Sequence, residues 1–132
     1  MKRTPVNPWQ WSLNFGFNQA ELVEGQSRVL ICSGQTSVDA DGNPQHAGDM
    51  AAQITLALDN LEAVLKDADM TLTNVVRLNF YTTDVDAFLQ NVGSTLGQRL
   101  GAAGVMPPGT LLGVARLAFP DLLVELEATA MA

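Results

Sequence analysis

Two glutamates near the carboxyl terminus are the residues best placed for acid–base chemistry. In residues 122–130, Glu125 and Glu127 alternate with aliphatic residues, which is the two-residue period of a β-strand. Their side chains would share one face, roughly 6 to 7 Å apart along the strand. If a neighbouring surface covers that face, desolvation and mutual repulsion would raise the pKa of one carboxyl group and make it useful for proton transfer. The alternative is that both carboxylates pair with Arg77 or Arg116 across the sheet.

The other reactive side chains favour structural roles. Cys32 alternates with Leu30 in an aliphatic stretch and has no adjacent histidine, which predicts a buried structural thiol. His46 lies in a polar loop and is predicted to be exposed. Asp39 opens a stretch similar to a calcium loop, but Pro44 occupies the position that requires glycine. With one cysteine and one histidine there is no zinc-type spacing, and we expect no metal site.

The composition is that of an ordinary globular domain with an acidic surface. Of the 132 residues 47% are hydrophobic and 16% charged, and we expect one domain spanning residues 1–132. The net charge of −7 repels phosphate backbones and the seven Lys and Arg are scattered, which argues against a nucleic-acid partner. No stretch has the length and apolarity of a signal peptide or membrane span, so we expect a cytoplasmic protein with no membrane partner. No dinucleotide-binding or Walker motif occurs, and no cofactor is predicted.

The amino-terminal half is predicted to contain extended chain followed by one helix. Residues 9–18 alternate between apolar and polar types, and residues 19–34 are predicted to form a hairpin. Residues 49–68 carry apolar side chains at helical spacing, with Gln53 and Asn60 expected on the other side of the helix.

The carboxyl-terminal half is predicted to contain a strand, a second helix and a terminal hairpin. The strand covers residues 74–82, and Asp84 is a candidate N-cap for a helix reaching about Leu100. Residues 110–117 and 122–130 are the expected hairpin arms. Because these strands alternate and are not apolar throughout, we expect both helices on one face of a mixed sheet.

The strand pattern also assigns residues to the two sheet faces. The face beneath the helices is predicted to bury Val76, Leu78, Phe80, Val124 and Leu126. The opposite face is predicted to carry Leu30, Tyr81, Leu112 and Val114 among Arg77, Asn79, Glu125 and Glu127. That second face is too apolar to be left in water, which indicates a subunit interface.

Short motifs in a consistent order resemble the RidA/YjgF family of enamine/imine deaminases, also described as endoribonuclease L-PSP-like. The motifs are Asn18-Gln19-Ala20, Ser33-Gly34-Gln35, Val75-Val76-Arg77, Thr83-Asp84, Val114-Ala115-Arg116-Leu117 and Val124-Glu125-Leu126-Glu127-Ala128. The resemblance covers residues 17–130. It implies an α+β, chorismate-mutase-like subunit with a mixed β-sheet and two helices packed on one face. It also implies a homotrimer with a central barrel and ligand clefts between subunits.

The resemblance implies a chemistry and a set of site residues. Active members hydrolyse reactive enamine and imine intermediates to keto acids and ammonia without metal or cofactor. The glutamate that positions water corresponds to Glu125. The substrate-binding positions correspond to Phe17, Ser33, Gly34, Val92, Gly109 and Thr110.

Three of these positions depart from the family pattern. Gly109 replaces the arginine that grips the substrate carboxylate, Phe17 replaces a tyrosine, and Val92 replaces an asparagine. Because glycine cannot supply charge-assisted hydrogen bonds, efficient hydrolysis of 2-imino acids is not expected. One hypothesis is therefore a small-molecule hydrolase acting on another imine, enamine or related reactive metabolite; the alternative is a non-catalytic ligand-binding or regulatory trimer. Arginine introduced at position 109 is expected to raise 2-imino acid hydrolysis if the rest of the site is intact.

Overall fold

A five-stranded mixed sheet carries the residues on which the site depends. The computed structural model of the chain describes residues 1–132. The strands are β1 (Lys2–Val6), β2 (Ala20–Glu24), β3 (Val29–Ile31), β4 (Gln35–Thr36), β5 (Val75–Thr82), β6 (Leu111–Gly113) and β7 (Val124–Met131). The α-helices are α1 (Met50–Asp67), α2 (Val85–Val92) and α3 (Leu96–Ala103), and short 3-10 helices cover Trp11–Phe15 and Leu72–Asn74.

Strand β7 lies inside the sheet and pairs on both edges. It runs antiparallel to β5 on one side and to β3 and then β4 on the other, while β6 pairs parallel with the outer edge of β5. The predicted terminal hairpin is wrong, because β6 and β7 do not pair with each other. The connection of residues 114–123 is much longer than the two to five residues of a usual hairpin loop, and it carries the chain across β5.

The amino-terminal segments also pair differently from the prediction. Strand β2 pairs with β1 in a separate two-stranded sheet, whereas β3 joins β7, so residues 19–34 are not a hairpin. Residues 9–18 are not an extended strand either, because Trp11–Phe15 forms a 3-10 helix that ends at Gly16 with a φ of 79°. In this turn the ring of Trp11 packs edge-on against the rings of Phe15 and Phe17.

Helix α1 agrees with the prediction in position and apolar face. It begins after the N-cap Asp49, whose carboxylate accepts a hydrogen bond from the backbone N–H of Ala52 at 3.0 Å. Its fully buried side chains include Ile54, Leu58, Leu61 and Leu65.

The polar residues Gln53 and Asn60 were expected on the solvent side of α1, and the structure places them inward. Gln53 is fully buried and hydrogen-bonds the chain before β7, accepting from the backbone N–H of Leu123 and donating to the carbonyl of Asp121. The Asn60 amide donates to the carbonyls of Thr36 and Val38. Both side chains thus hydrogen-bond to backbone groups outside the helix.

The second predicted helix is two helices. Asp84 is the N-cap, as expected, and accepts from the N–H of Ala87 at 3.0 Å. The helix stops at Val92, where the Thr95 hydroxyl donates to the carbonyl of Asn91 at 2.7 Å and competes with the helical ladder.

The sheet faces follow the predicted alternation except at two places. A register irregularity between Val75 and Arg77 puts Val75 into the main core in place of Val76. Leu30 pairs with Ala130 and packs against the core, so it does not share the face of the glutamates. The solvent side of β3 instead carries Val29 and Ile31, which are 52% and 81% exposed.

Candidate functional site

Glu125 lies in a cavity of about 390 Å³ on the sheet face opposite the helices. This face is called the open face below. Strand β7 presents both glutamates there, and β5 places Tyr81 directly opposite Glu125 and Asn79 opposite Glu127. The lining residues are Gly34, Tyr81, Val114, Arg116, Leu117, Ala118, Glu125 and Glu127.

Glu127 is held by two neutral donors of strand β5. Its Oε1 accepts hydrogen bonds from Asn79 Nδ2 and from the Tyr81 hydroxyl, each at 3.0 Å. These two bonds, that from Asn79 first, hold the pKa of Glu127 below its ordinary value. Neither glutamate forms an ion pair, so the alternative in which both pair with Arg77 or Arg116 is not what the structure contains.

Glu125 differs from Glu127 in its surroundings. Its carboxyl group is half-buried and has no hydrogen-bond donor within the chain. Burial raises the pKa of Glu125 above the ordinary glutamate value, and the negative charge of Glu127 raises it further. The pKa values of two carboxyl groups one pleat apart are thus shifted in opposite directions.

Gly34 makes room for the carboxyl group of Glu125. The pairing of residues 29–36 with β7 shifts by one residue between Ile31 and Gln35, and Gly34 lies within that irregularity. A Cβ atom at Gly34 would lie 2.6 Å from the carboxyl carbon of Glu125. Any side chain there would displace the carboxyl group, which is a close-approach role for glycine. The neighbouring Ser33 is exposed and does not line the cavity.

The remaining predicted site residues lie elsewhere in the chain. Phe17, Val92 and Gly109 line a separate cavity of about 870 Å³ next to α2 and α3. Thr110 lines neither cavity, but its backbone N–H donates to Asn79 Oδ1 at 3.1 Å and so supports the amide that holds Glu127. Within one chain the structure therefore brings Gly34 to Glu125 and keeps Phe17, Val92 and Gly109 apart from it.

Gly109 packs directly on the backbone of β5. The loop pairs with that strand through bonds from the N–H of Leu78 to the carbonyl of Pro108 and from the N–H of Phe80 to the carbonyl of Thr110. A Cβ atom at Gly109 would lie 2.7 Å from the carbonyl carbon of Leu78 and closer still to its oxygen. An arginine here would therefore require the loop or β5 to move.

Three residues of the Glu125 site were not singled out as site residues by the sequence. Tyr81 and Asn79 alternate on β5 with apolar residues, which is the signal that places them on the face of the glutamates. Arg116 lines the cavity as its only cation and makes no hydrogen bond or ion pair in the chain.

Metal and thiol chemistry find little support in the arrangement of side chains. No group of three His, Cys, Asp or Glu residues is placed to hold a metal ion. Cys32 is buried, as predicted, and burial raises the pKa of its thiol.

None of the helices has the length and apolarity needed to cross a bilayer.

The fold and the cavity define an α+β protein with a carboxylate pair on the open face of a mixed sheet. The family model described as endoribonuclease L-PSP matches residues 16–132, and the chain belongs to this family, which includes the RidA/YjgF proteins.

Individual relatives agree with this assignment. The structure of the Rid family protein YyfB of Yersinia pestis is 35% identical, covers 100% of both chains and superposes with a TM-score of 0.86. The YjgF gene product of Escherichia coli is 26% identical over 87% of each chain, with a TM-score of 0.69. The mitochondrial protein mmf2 of Schizosaccharomyces pombe is 35% identical over 88 residues, which are 67% of this chain and 66% of the relative.

Proposed function

We propose that the protein hydrolyses a small imine, enamine or related reactive metabolite, with Glu125 as the group that activates water. The observation that carries this proposal is the asymmetry of the two glutamates. Glu127 has two hydrogen-bond donors and stays ionised, whereas Glu125 has none and its pKa is raised. A carboxyl group with a raised pKa is a stronger base when ionised and so is better suited to taking up a proton and returning it.

The reaction needs only one proton carrier. Ionised Glu125 accepts a proton from water as the water oxygen bonds to the imine carbon, and it returns that proton to the nitrogen. The resulting carbinolamine collapses when its hydroxyl proton moves through the same carboxylate to the nitrogen, the C–N bond breaks and the C=O bond forms. Both protons of the water thus end on the released amine or ammonia, and no metal or cofactor enters the balance.

The test uses imines generated in solution by two oxidases. An amino-acid oxidase supplies 2-imino acids, a flavin-dependent amine oxidase acting on benzylamine supplies an imine without a carboxylate, and the release of keto acid or benzaldehyde is followed directly by absorbance. We expect the protein to accelerate the release of benzaldehyde more than the release of the keto acid. Glu125→Gln is expected to lower the protein-dependent rate about 100-fold or more. Equal rates for the wild type and Glu125→Gln would refute the proposal.

The pH profile offers a second check on the same residue. Because ionised Glu125 is the acceptor, the rate should rise with pH through the Glu125 pKa, which lies above the ordinary glutamate value. A rate that falls with pH across that range would assign the essential group to an acid instead.

We further propose that three copies associate through their open faces, as the family resemblance implies. The apolar side chains of that face that remain exposed, Val29, Ile31 and Leu112, support the association. A neighbouring copy would also close the Glu125 cavity. In such a trimer, Phe17, Val92 and Gly109 of one subunit could face Glu125 of another.

One observation favours the second candidate function, a non-catalytic ligand-binding trimer. Gly109 has no side chain that could hold a carboxylate, so the usual carboxylate contact of the family is lacking. Such a protein would be stabilised thermally by a small carbonyl compound without turning over any imine.

A further inference from the structure

The hydroxyl group of Tyr81 belongs to the wall of the Glu125 cavity and has no part in the proton transfers of Glu125. Tyr81 and Glu127 both line the cavity, and the Tyr81 hydroxyl donates a hydrogen bond to Glu127 Oε1 at 3.0 Å. Tyr81 is also the direct cross-strand partner of Glu125 in the pairing of β5 with β7. The Cβ atoms of such partners are about 4.5–5.5 Å apart. A molecule that reaches Glu125 therefore lies beside Tyr81.

A backbone group fixes the direction of the hydrogen bonds around Glu127. The N–H of Thr110 can only donate, and it donates to Asn79 Oδ1 at 3.1 Å. The Asn79 amide is thereby oriented with its nitrogen, a donor, towards Glu127 Oε1 at 3.0 Å. Glu127 Oε1 therefore accepts from both of its neighbours, and the hydroxyl proton of Tyr81 points to Glu127.

The oxygen of Tyr81 is consequently left as an acceptor. A phenol hydroxyl has one proton to donate and lone pairs that accept. Glu127 takes the proton, and no group of the chain donates to the Tyr81 oxygen. The hydrogen bond to Glu127 and the loss of hydration raise the pKa of Tyr81, so the hydroxyl keeps its proton. The carboxylate at the end of this chain of bonds polarises the hydroxyl and strengthens its oxygen as an acceptor.

The nitrogen of an imine or enamine can bring the matching donor. An unsubstituted nitrogen carries an N–H, and hydrolysis at Glu125 delivers further protons to the same atom. A hydrogen bond from this N–H strengthens as the nitrogen gains positive charge. An acceptor placed at the nitrogen therefore stabilises the transition state more than the bound substrate.

We infer that the Tyr81 oxygen accepts a hydrogen bond from the N–H of the substrate, which makes Tyr81 a specificity-determining residue that favours an unsubstituted nitrogen. The inference rests on the proposed hydrolysis for the kind of substrate, but it concerns a contact in which Glu125 takes no part. An N-methyl imine has no proton to donate, so it leaves the Tyr81 oxygen without a partner.

The kinetic test compares two imines of benzaldehyde. The N–H imine is generated by flavin-dependent oxidation of benzylamine, the N-methyl imine is added directly, and the release of benzaldehyde is followed by absorbance. We expect the wild type to hydrolyse the N–H imine about tenfold faster or more. Tyr81→Phe should lose that factor on the N–H imine and stay within about twofold of the wild type on the N-methyl imine. A preference that persists in Tyr81→Phe would be steric and would overturn the inference.

A binding measurement separates this inference from the proposed hydrolysis. Benzamidine is a planar C=N compound with N–H groups that resists hydrolysis, and tetramethylbenzamidinium has the same charge without an N–H. In calorimetric titrations, benzamidine should bind about tenfold more tightly to the wild type than to Tyr81→Phe, whereas the tetramethyl compound should not distinguish them. Circular dichroism checks that the variant keeps its fold.

The two measurements fail in different ways. If neither imine is hydrolysed but benzamidine distinguishes the two proteins, the hydrolysis proposal fails and the role of Tyr81 stands. If benzamidine does not bind, or binds both proteins equally, the inference about Tyr81 fails even where hydrolysis is observed. Equal binding would assign the N–H to another acceptor, such as Glu127 Oε2.

Discussion

At the scale of single residues, the two glutamates show how surroundings give identical side chains different properties. Both lie on the same face of β7, but strand β5 supplies donors only to Glu127. Gly34 brings backbone against Glu125 without offering it a hydrogen bond. The carboxyl group that lacks partners is the one available to a ligand.

Removing the charge of Glu127 tests this coupling directly. In Glu127→Gln we expect the pKa of Glu125 to fall, because the repulsion that disfavours its ionised form is gone. It should stay above the ordinary glutamate value, since burial is the larger cause of the shift and remains. Carbon-detected NMR titration of the side-chain carboxyl groups measures both effects.

Tyr81→Phe is the companion variant, because it removes one donor from Glu127 and keeps the charge. The pKa of Glu127 should rise towards its ordinary value, since its ionised form loses a hydrogen bond. If the Glu125 titration in Glu127→Gln is the same as in the wild type, the two carboxyl groups are not coupled as described.

Gly109 yields a second prediction at this scale. Gly109→Ala should lower the free energy of unfolding by about 1–3 kcal/mol, because its Cβ would overlap the Leu78 carbonyl and the backbone must move. Gly109→Arg should be destabilised at least as much and gain no 2-imino acid hydrolysis. Urea denaturation measures the first effect and the oxidase-coupled assay the second.

Gly101→Ala is the matched control, because its Cβ meets no atom and it should be neutral or more stable by up to about 1 kcal/mol. A Gly109→Ala variant as stable as Gly101→Ala would show that the loop relaxes freely, and arginine at 109 would again be possible.

The sequence predicts part of this site for a clear physical reason. The spacing of Glu125 and Glu127 places both side chains on one face of their strand, whichever strand pairs with it. The residues that hydrogen-bond to Glu127 depend on the strand register. These residues, Asn79 and Tyr81, lie 48 and 46 residues before Glu127 in the chain. No local pattern encodes that pairing, so the different pKa directions could not be assigned before the fold was known.

At the scale of elements, periodicity predicts helices well and strand partners poorly. Helix α1 and strand β5 lie where the apolar spacing predicts them. Periodicity reports which face of a strand is buried, whereas pairing depends on loop lengths and on competition for the two edges of β7. The break between α2 and α3 escaped prediction because it results from side-chain bonds of Asn91 and Thr95 within an otherwise continuous apolar stripe.

The side chain of Gln53 links helix α1 to the segment that leads into strand β7. Its amide satisfies three backbone groups, the N–H of Leu123 and the carbonyls of His46 and Asp121, from a fully buried position. Gln53→Leu would leave the N–H of Leu123 and the carbonyl of Asp121 unpaired, whereas the carbonyl of His46 keeps its bond from the N–H of Asp49. Each buried unpaired group costs about 1–3 kcal/mol. We expect a loss of at least about 2 kcal/mol in urea denaturation.

Gln98→Leu serves as the control because Gln98 is exposed on α3 and makes no hydrogen bond through its side chain. Its stability should stay within about 0.5 kcal/mol of the wild type. A Gln53→Leu variant that loses no more than Gln98→Leu would mean that water replaces the lost bonds.

At the scale of the whole molecule, the open face is the side of the sheet that the helices of the chain do not cover. The helices cover one side of the sheet, and the other side carries a desolvated glutamate beside exposed aliphatic residues. A net charge of −7 opposes close approach of copies, so in the proposed trimer the attraction would come from the apolar part of this face.

Ile31 is the residue whose replacement best tests that association. It is 81% exposed on β3 and pairs with Thr129, on the face of the two glutamates. Ile31→Lys should convert the proposed trimer to monomer in analytical ultracentrifugation, because a lysine ammonium buried between copies would be desolvated. Leu22→Lys, at a 53% exposed position on the separate two-stranded sheet, changes the charge equally and should leave the trimer intact. If the wild type sediments as a monomer, or if Ile31→Lys stays trimeric, the open face is not the association surface. The Glu125 cavity would then be lined only by residues of a single chain.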